Sequence, residues 1–118
     1  MRSLTNYHAG QSAEMQVAAH YVQRNHRIPA RRWRGQSGEI DVVAEAADGS
    51  VIFVEVKKSR DFARAAERLT PHQMQRIYNA ASEYLALCPK GQLTESRFDV
   101  ALVNAAGDLH IIENAFAA

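Results

Sequence analysis

The chain has 118 residues, of which 47% are hydrophobic and 23% charged, and its formal net charge is +1. These values are typical of one globular domain over residues 1–118 and exclude a disordered or fibrous protein, while the single cysteine, Cys88, excludes an intrachain disulfide. No apolar run approaches the roughly 18 residues of a membrane span and the first residues lack a signal-peptide core, so we expect a cytoplasmic protein with no membrane partner.

The first half of the chain predicts one helix followed by three strands. A helix over residues 10–25 is predicted by side chains that recur at helical spacing, namely Glu14, Val17, Ala18 and Tyr21. Glu14 therefore lies on the apolar stripe, either as a salt bridge at the edge of the core or as part of a site. Residues 30–34 predict a short strand that carries Trp33, for which we expect core packing.

Two further strands, over residues 39–45 and 51–57, predict a β-hairpin. A two-residue loop would place Asp41 opposite Val56, whereas a three-residue loop with Gly49 in the left-handed region would place Asp41 opposite Glu55 and Glu39 opposite Lys57. We favour the three-residue loop because it collects the polar groups on one face. That face also carries Val43, Val51 and Phe53. The opposite face would then carry Ile40, Val42, Ile52 and Val54, so both faces are apolar and helices should cover each.

The second half predicts one long helix and two strands. Residues 58–69 predict a mobile loop or a short helix, after which Thr70 as N-cap and Pro71 begin a helix that Pro89 and Gly91 end. Its apolar face should comprise Met74, Ile77, Ala81, Leu85 and Cys88. Strands are predicted over residues 98–103 and 109–113. This order predicts a single α/β domain with a central mixed sheet flanked by helices.

Acidic side chains inside the two apolar hairpin strands indicate a site, because a buried carboxylate is costly unless it is paired or bound to a cation. Asp41 and Glu55 could share Mg²⁺ or Mn²⁺, with the Val56 carbonyl as a further ligand. Lys57 would orient an attacking water or stabilise charge on a phosphate. The alternative is a ladder of salt bridges in a sheet.

Three other polar residues have more than one interpretation. Glu39 is a candidate catalytic residue that could pair with Lys57, bind a second metal ion or begin its strand in solvent. Gln73 could reach the site, although its capping-box position already explains it. For Asp99 we expect a buried ion pair with Arg97 or Arg76 rather than metal ligation.

Two clusters of arginines could follow a phosphate backbone, although scattered surface arginines are the commoner explanation. The candidate nucleic-acid-binding residues are Arg31 and Arg34 from the first cluster and Arg60 and Arg64 from the second.

These motifs resemble the YraN family, a bacterial group related to Holliday-junction resolvases within the PD-(D/E)XK nuclease superfamily. The resemblance covers nearly the whole chain, including Gly38-Glu39-Ile40-Asp41, Phe53-Val54-Glu55-Val56-Lys57 and Arg97-Phe98-Asp99-Val100. It implies the restriction-endonuclease-like fold, with the superfamily's metal ligands on Asp41 and Glu55, its catalytic lysine on Lys57 and its first-helix acid on Glu14. Ile40 replaces the leading proline of the motif, and Gln73 stands where many relatives would have lysine.

The resemblance and the residues together predict a divalent-metal-dependent endonuclease acting on DNA, including branched or flapped structures. Resolving a symmetric junction would require a homodimer. The alternatives are a nucleic-acid-binding accessory module without turnover and, last, an interaction protein with a structural ion-pair cluster.

Overall fold

The computed structural model describes the backbone of residues 2–116 and the side chains of residues 12–116. In chain order the elements are α1 (Arg2–Val22), β1 (Arg27–Arg34), β2 (Glu39–Glu45), β3 (Val51–Lys58), α2 (Phe62–Glu67), α3 (Pro71–Leu85), a 3₁₀ turn (Gly91–Leu93), β4 (Ser96–Val103) and β5 (Leu109–Phe116). Helix α1 begins eight residues before the predicted start and ends three before the predicted end, while β1 and β5 are each three residues longer than expected. Among the described residues, no helix is long and apolar enough to cross a membrane.

The five strands form one sheet in the order β1-β2-β3-β4-β5. Strands β3 and β4 are parallel and the other neighbours are antiparallel. The parallel pair is connected by a crossover that contains α2 and α3. This is the predicted α/β architecture, a mixed sheet flanked by helices, and it agrees with the restriction-endonuclease-like fold that the resemblance implied.

The β2–β3 hairpin has the predicted three-residue loop. The backbone N–H groups of Ala46 and Gly49 donate to Ser50 and Ala46 carbonyls, each at 2.9 Å, and Gly49 has a φ of 90°. This left-handed conformation carries little steric cost for glycine, which explains why glycine occupies the loop. The ladder pairs Val42 with Val54, so the next positions along the two strands are Asp41 and Glu55.

Both faces of the sheet are covered, as expected from the apolar residues on each face of the hairpin. Helix α1 packs Val17 and Tyr21 against a cluster that includes Val42 and Val54. On the opposite face, α3 contributes a second cluster, whose members include Val43, Phe53, Ala80, Ala81 and Leu85. The smaller helix α2 places Ala65 against two residues of β4, Val100 and Leu102.

One prediction about the faces is wrong: Ile40 lies on the α3 face with Val43, not on the α1 face with Val42. Positions three apart in a regular strand point to opposite faces, so the alternation of β2 is interrupted between Ile40 and Val43. Strand β1 has the same interruption, because Ala30 and Trp33 both pack on the α3 face. The cause lies between them, where Arg32 has a left-handed φ of 52°.

The start of α3 follows the sequence signals. The Thr70 hydroxyl accepts a hydrogen bond from the Gln73 backbone N–H at 3.2 Å and caps α3, as predicted. The region from residue 58 to 69 contains the short helix α2, whose N-cap, Asp61, accepts from the Arg64 N–H at 2.8 Å. Trp33 packs in the core as expected, with its ring edge-on to Tyr84 at 5.3 Å.

Candidate metal centre

The centre of the site is a pair of carboxyl groups at the point where β2 and β3 separate. Beyond the Val42–Val54 pair the ladder ends, and Asp41 Oδ2 accepts a hydrogen bond from the Val56 backbone N–H at 2.8 Å. The Asp41 side chain thus replaces a backbone partner of β3 and reaches into the gap between the strands. There it lies beside the carboxyl group of Glu55 and raises the pKa of that group.

Lys57, also on β3, lies next to the Glu55 carboxyl group. Because Glu55 and Lys57 are two residues apart on one strand, their side chains leave the same face. Lys57 Nζ lies 3.5 Å from Glu55 Oε1, and the two side chains are only 14% and 8% exposed. Two carboxyl groups and one ammonium group therefore share a mostly buried space.

Burial and the neighbouring Asp41 raise the pKa of Glu55 to about 9, and the Lys57 ammonium only partly offsets this. Near neutral pH the Glu55 carboxyl group therefore retains a proton, since a buried carboxylate next to a second carboxylate is repelled by its charge. A divalent cation could replace this proton and allow both groups to ionise.

This donor set fits Mg²⁺ or Mn²⁺. Mg²⁺ is commonly held by one or two carboxylates, with waters and substrate phosphates as its remaining ligands. Asp41 and Glu55 supply two carboxylates on neighbouring strands. Within residues 12–116 no group of three acidic, histidine or cysteine side chains could hold a metal ion, so Glu14 does not complete a three-residue ligand set.

Glu14 nevertheless lies close enough to the pair to respond to its charge. Its side chain is 15% exposed, with Oε2 3.8 Å from Arg32 Nε. Burial and Asp41 raise the pKa of Glu14 to about 6, and the Arg32 guanidinium opposes this increase. Both interpretations of Glu14 from the sequence therefore have a counterpart: it forms a salt bridge at the edge of the core, and it adjoins Asp41.

Glu39 does not pair with Lys57 among the described contacts. Its carboxylate binds Arg34 Nη2 at 3.1 Å and Arg32 Nε at 3.4 Å, both from the neighbouring strand β1. The reason is that the β2–β3 ladder has already ended at Val42, so residue 39 is held by β1 alone.

A clamp between α3 and the β1–β2 loop was missed by the sequence analysis. The Glu83 carboxylate accepts the backbone N–H of Gln36 at 2.6 Å and that of Ser37 at 3.0 Å. These hydrogen bonds lower the pKa of Glu83. The clamp fixes the loop that leads directly into Glu39 and Asp41. Gly35 and Gly38 are the only local signal of a tight loop here, and no sequence pattern identifies its partner on α3.

The four candidate nucleic-acid-binding arginines are all exposed, at two places on the surface. Arg31 and Arg34 lie on β1, whereas Arg60 and Arg64 follow the carboxyl end of β3. Arg64 forms an ion pair with Asp61 at 3.4 Å, and the side chain of Arg64 remains 58% exposed.

Asp99 has a structural environment, as expected. It is fully buried and accepts hydrogen bonds from Arg97 Nε at 3.0 Å, the Tyr21 hydroxyl at 2.7 Å and the Asn114 backbone N–H at 2.9 Å. The predicted ion pair with Arg97 is confirmed. Gln73 is half-buried in the first turn of α3, where its backbone N–H serves the helix cap.

The chain resembles a known protein family over most of its length. The sequence model of "Uncharacterised protein family UPF0102" matches residues 13–103. A UPF0102 protein from Cereibacter sphaeroides is 59% identical over 118 residues, which is 100% of each chain. A second, from Ruegeria pomeroyi, is 55% identical and covers 98% of this chain and 93% of the relative. A third, from Dinoroseobacter shibae, is 39% identical over 90% of this chain and 78% of the relative.

Proposed function

The chain belongs to the uncharacterised protein family UPF0102, the YraN family, and we propose that it is a divalent-metal-dependent endonuclease that hydrolyses phosphodiesters in DNA. The observation that carries this proposal is that the Asp41 and Glu55 carboxyl groups lie side by side next to Lys57, where β2 and β3 separate. A structural salt-bridge ladder needs one carboxylate for one ammonium, whereas this site has a second carboxyl group that keeps a proton near neutral pH.

Each residue of the centre has a role in this proposal. Asp41 and Glu55 would hold Mg²⁺ or Mn²⁺, which when bound supplies an activated water and polarises the phosphate. Lys57, fixed 3.5 Å from Glu55, would hold its ammonium near the phosphate oxygens and stabilise their developing charge. Glu14, with its raised pKa, would exchange a proton with solvent or the leaving group near neutral pH.

We propose DNA as the substrate, including branched or flapped structures. The exposed arginines would bind the phosphates of its backbone. Each phosphate contact on duplex DNA should contribute about 0.9 to the slope of log affinity against log salt. Arg60→Ala with Arg64→Ala should therefore reduce the slope, whereas Arg24→Ala, whose guanidinium donates to the His20 carbonyl at 3.0 Å, serves as the control. An unchanged slope in the double variant would exclude these two contacts.

Calorimetric titration with Mg²⁺ or Mn²⁺, followed by cleavage assays on a panel of DNA structures, tests the proposal. Asp41→Asn keeps the side-chain shape but removes the charge, so metal binding and cleavage should fall together. Asp48→Asn makes the same chemical change on the exposed hairpin loop and should alter neither. Wild-type protein that binds DNA but cleaves no structure would refute the nuclease and leave the accessory module.

A further inference from the structure

The part of β2 that carries Asp41 receives no support from the backbone of β3. In the described sheet the β2–β3 ladder ends at the Val42–Val54 pair, so residues 39–41 lie beyond it. These residues pair with β1 instead, and β1 is an edge strand with no neighbour on its other side. The position of the Asp41 carboxylate therefore depends on what holds this end of the β1–β2 hairpin.

The Glu83 clamp holds this end of the hairpin from α3. The carboxylate accepts two consecutive backbone N–H groups, that of Gln36 at 2.6 Å and that of Ser37 at 3.0 Å. The loop is also closed within itself, since the Gly35 N–H donates to the Gly38 carbonyl at 2.9 Å. Hydrogen bonds to an ionised carboxylate are stronger than those between neutral groups, so one side chain holds the closed loop as a unit.

The loop and the strand that follows it are held against α3 at two points. A Cβ atom at Gly35 would lie 2.3 Å from Glu83 Oε1, so a larger residue there would displace the carboxylate from the clamp. The second point is Ile40, which is buried in the same core cluster as residues of α3. Residues 36–40 are thus fixed to the helix, and Asp41 is the next residue in the chain.

We propose that Glu83 is a positioning residue for Asp41, because its clamp holds residues 39–41 where Asp41 Oδ2 meets the Val56 N–H at 2.8 Å beside Glu55. Among the described contacts Glu83 binds the loop and neither of the two carboxyl groups. Groups that orient metal ligands in this way commonly contribute about 10- to 100-fold to metal affinity. The inference rests on the proposed function for the metal ion, whereas the Asp41–Val56 hydrogen bond forms without one.

Hydrogen exchange of the Val56 amide in metal-free protein tests the position of Asp41. Glu83→Ala removes both hydrogen bonds of the clamp. It should accelerate Val56 exchange by about tenfold relative to the Ala101 amide in the interior of β4, the factor that corresponds to one lost hydrogen bond to a charged group. The ratio matters because a general loss of stability would accelerate both amides alike. Glu83→Gln keeps one acceptor oxygen and should give a smaller change.

Calorimetric titration with Mg²⁺ provides the second measurement. Glu83→Ala should weaken Mg²⁺ binding by about tenfold. The matched control is Gln92→Ala, which removes a hydrogen bond of 2.9 Å to the carbonyl of Ser82, the neighbouring residue of the same helix. This control should change neither Mg²⁺ affinity nor the ratio of the two exchange rates.

Equal acceleration of the Val56 and Ala101 amides in Glu83→Ala would overturn the inference, because Glu83 would then only stabilise the fold. Unchanged Mg²⁺ affinity in this variant, with a wild type that binds Mg²⁺, would also overturn it. A wild type that binds no Mg²⁺, together with selective acceleration of Val56, refutes the metal-dependent nuclease alone. If Glu83→Ala does not fold, the comparison of Glu83→Gln with Gln92→Ala decides the question by the same two measurements.

Discussion

Replacing Glu55 with glutamine should stabilise the metal-free protein, and increasingly so as the pH rises. In the folded protein the pKa of Glu55 is about 9, against 4.5 for an unperturbed glutamate. Between these values the unfolded chain has released the proton that the folded protein still holds. The stability that this proton provides is complete below pH 4.5 and is lost as the pH rises towards 9. Glutamine does not titrate, so the variant avoids the loss.

The magnitude follows from the linkage between proton binding and stability. One proton retained by the folded state alone changes the free energy of unfolding by about 1.4 kcal/mol per pH unit. From about pH 5 to about pH 8, the difference between Glu55→Gln and wild type should therefore grow by up to about 4 kcal/mol. Using a difference between two proteins cancels the other titrating groups that they share.

Urea unfolding of both proteins across this pH range measures the effect, with Glu67→Gln on the exposed side of α2 as the control. The free energy of unfolding of the control should change with pH in the same way as that of wild type. Mg²⁺ at about one hundred times its dissociation constant should raise the stability of wild type by about 2.7 kcal/mol but not that of Glu55→Gln. Parallel stability curves for Glu55→Gln and wild type would show that Glu55 is already ionised without a metal ion. Glu55 would then not retain a proton in the folded protein.

Three further outcomes are expected. Lys57→Ala should leave Mg²⁺ affinity equal or slightly higher, because an ammonium repels the cation. It should nevertheless lower the cleavage rate by ~10²-fold. Normal cleavage would show that Lys57 only balances the charge of the carboxylates. Gly35→Ala would place a methyl group 2.3 Å from a Glu83 carboxylate oxygen, so thermal unfolding should show a loss of about 1–2 kcal/mol. Gly38→Ala meets nothing closer than 3.6 Å and should match wild type. Tyr21→Phe removes a buried hydrogen bond to a carboxylate and should cost about 2 kcal/mol in urea unfolding, whereas no loss would mean that water replaces it.

Local signals in the sequence were sufficient for the hairpin and for the start of α3. The three-residue loop was favoured because it places the polar side chains on one face, and Gly49 adopts the left-handed conformation that this loop needs. The loop in turn determined the register that brings Asp41 opposite Glu55. Thr70 and Pro71 located the helix start because capping depends on neighbouring residues alone.

The errors arose where backbone conformation depends on distant parts of the chain. Ile40 was placed by strict alternation, but β2 departs from alternation between Ile40 and Val43, next to the part of β1 where Arg32 is left-handed. No composition rule predicts a left-handed arginine within a strand. The clamp likewise joins Glu83 to two residues, Gln36 and Ser37, that lie 47 and 46 positions away in the chain. Such long-range pairing has no local signature.

The irregular edges of the sheet determine how two copies of this chain could associate. In β1 a bulge lies between Arg27 and Ala30, and Pro29 has no N–H to donate to another strand. In β5 the register shifts as well, with Asn114 at a φ of 50°. Bulged edges resist the addition of a further strand. A dimer able to act on both arms of a symmetric junction would therefore have to meet through helices or loops, and its two sheets would remain separate.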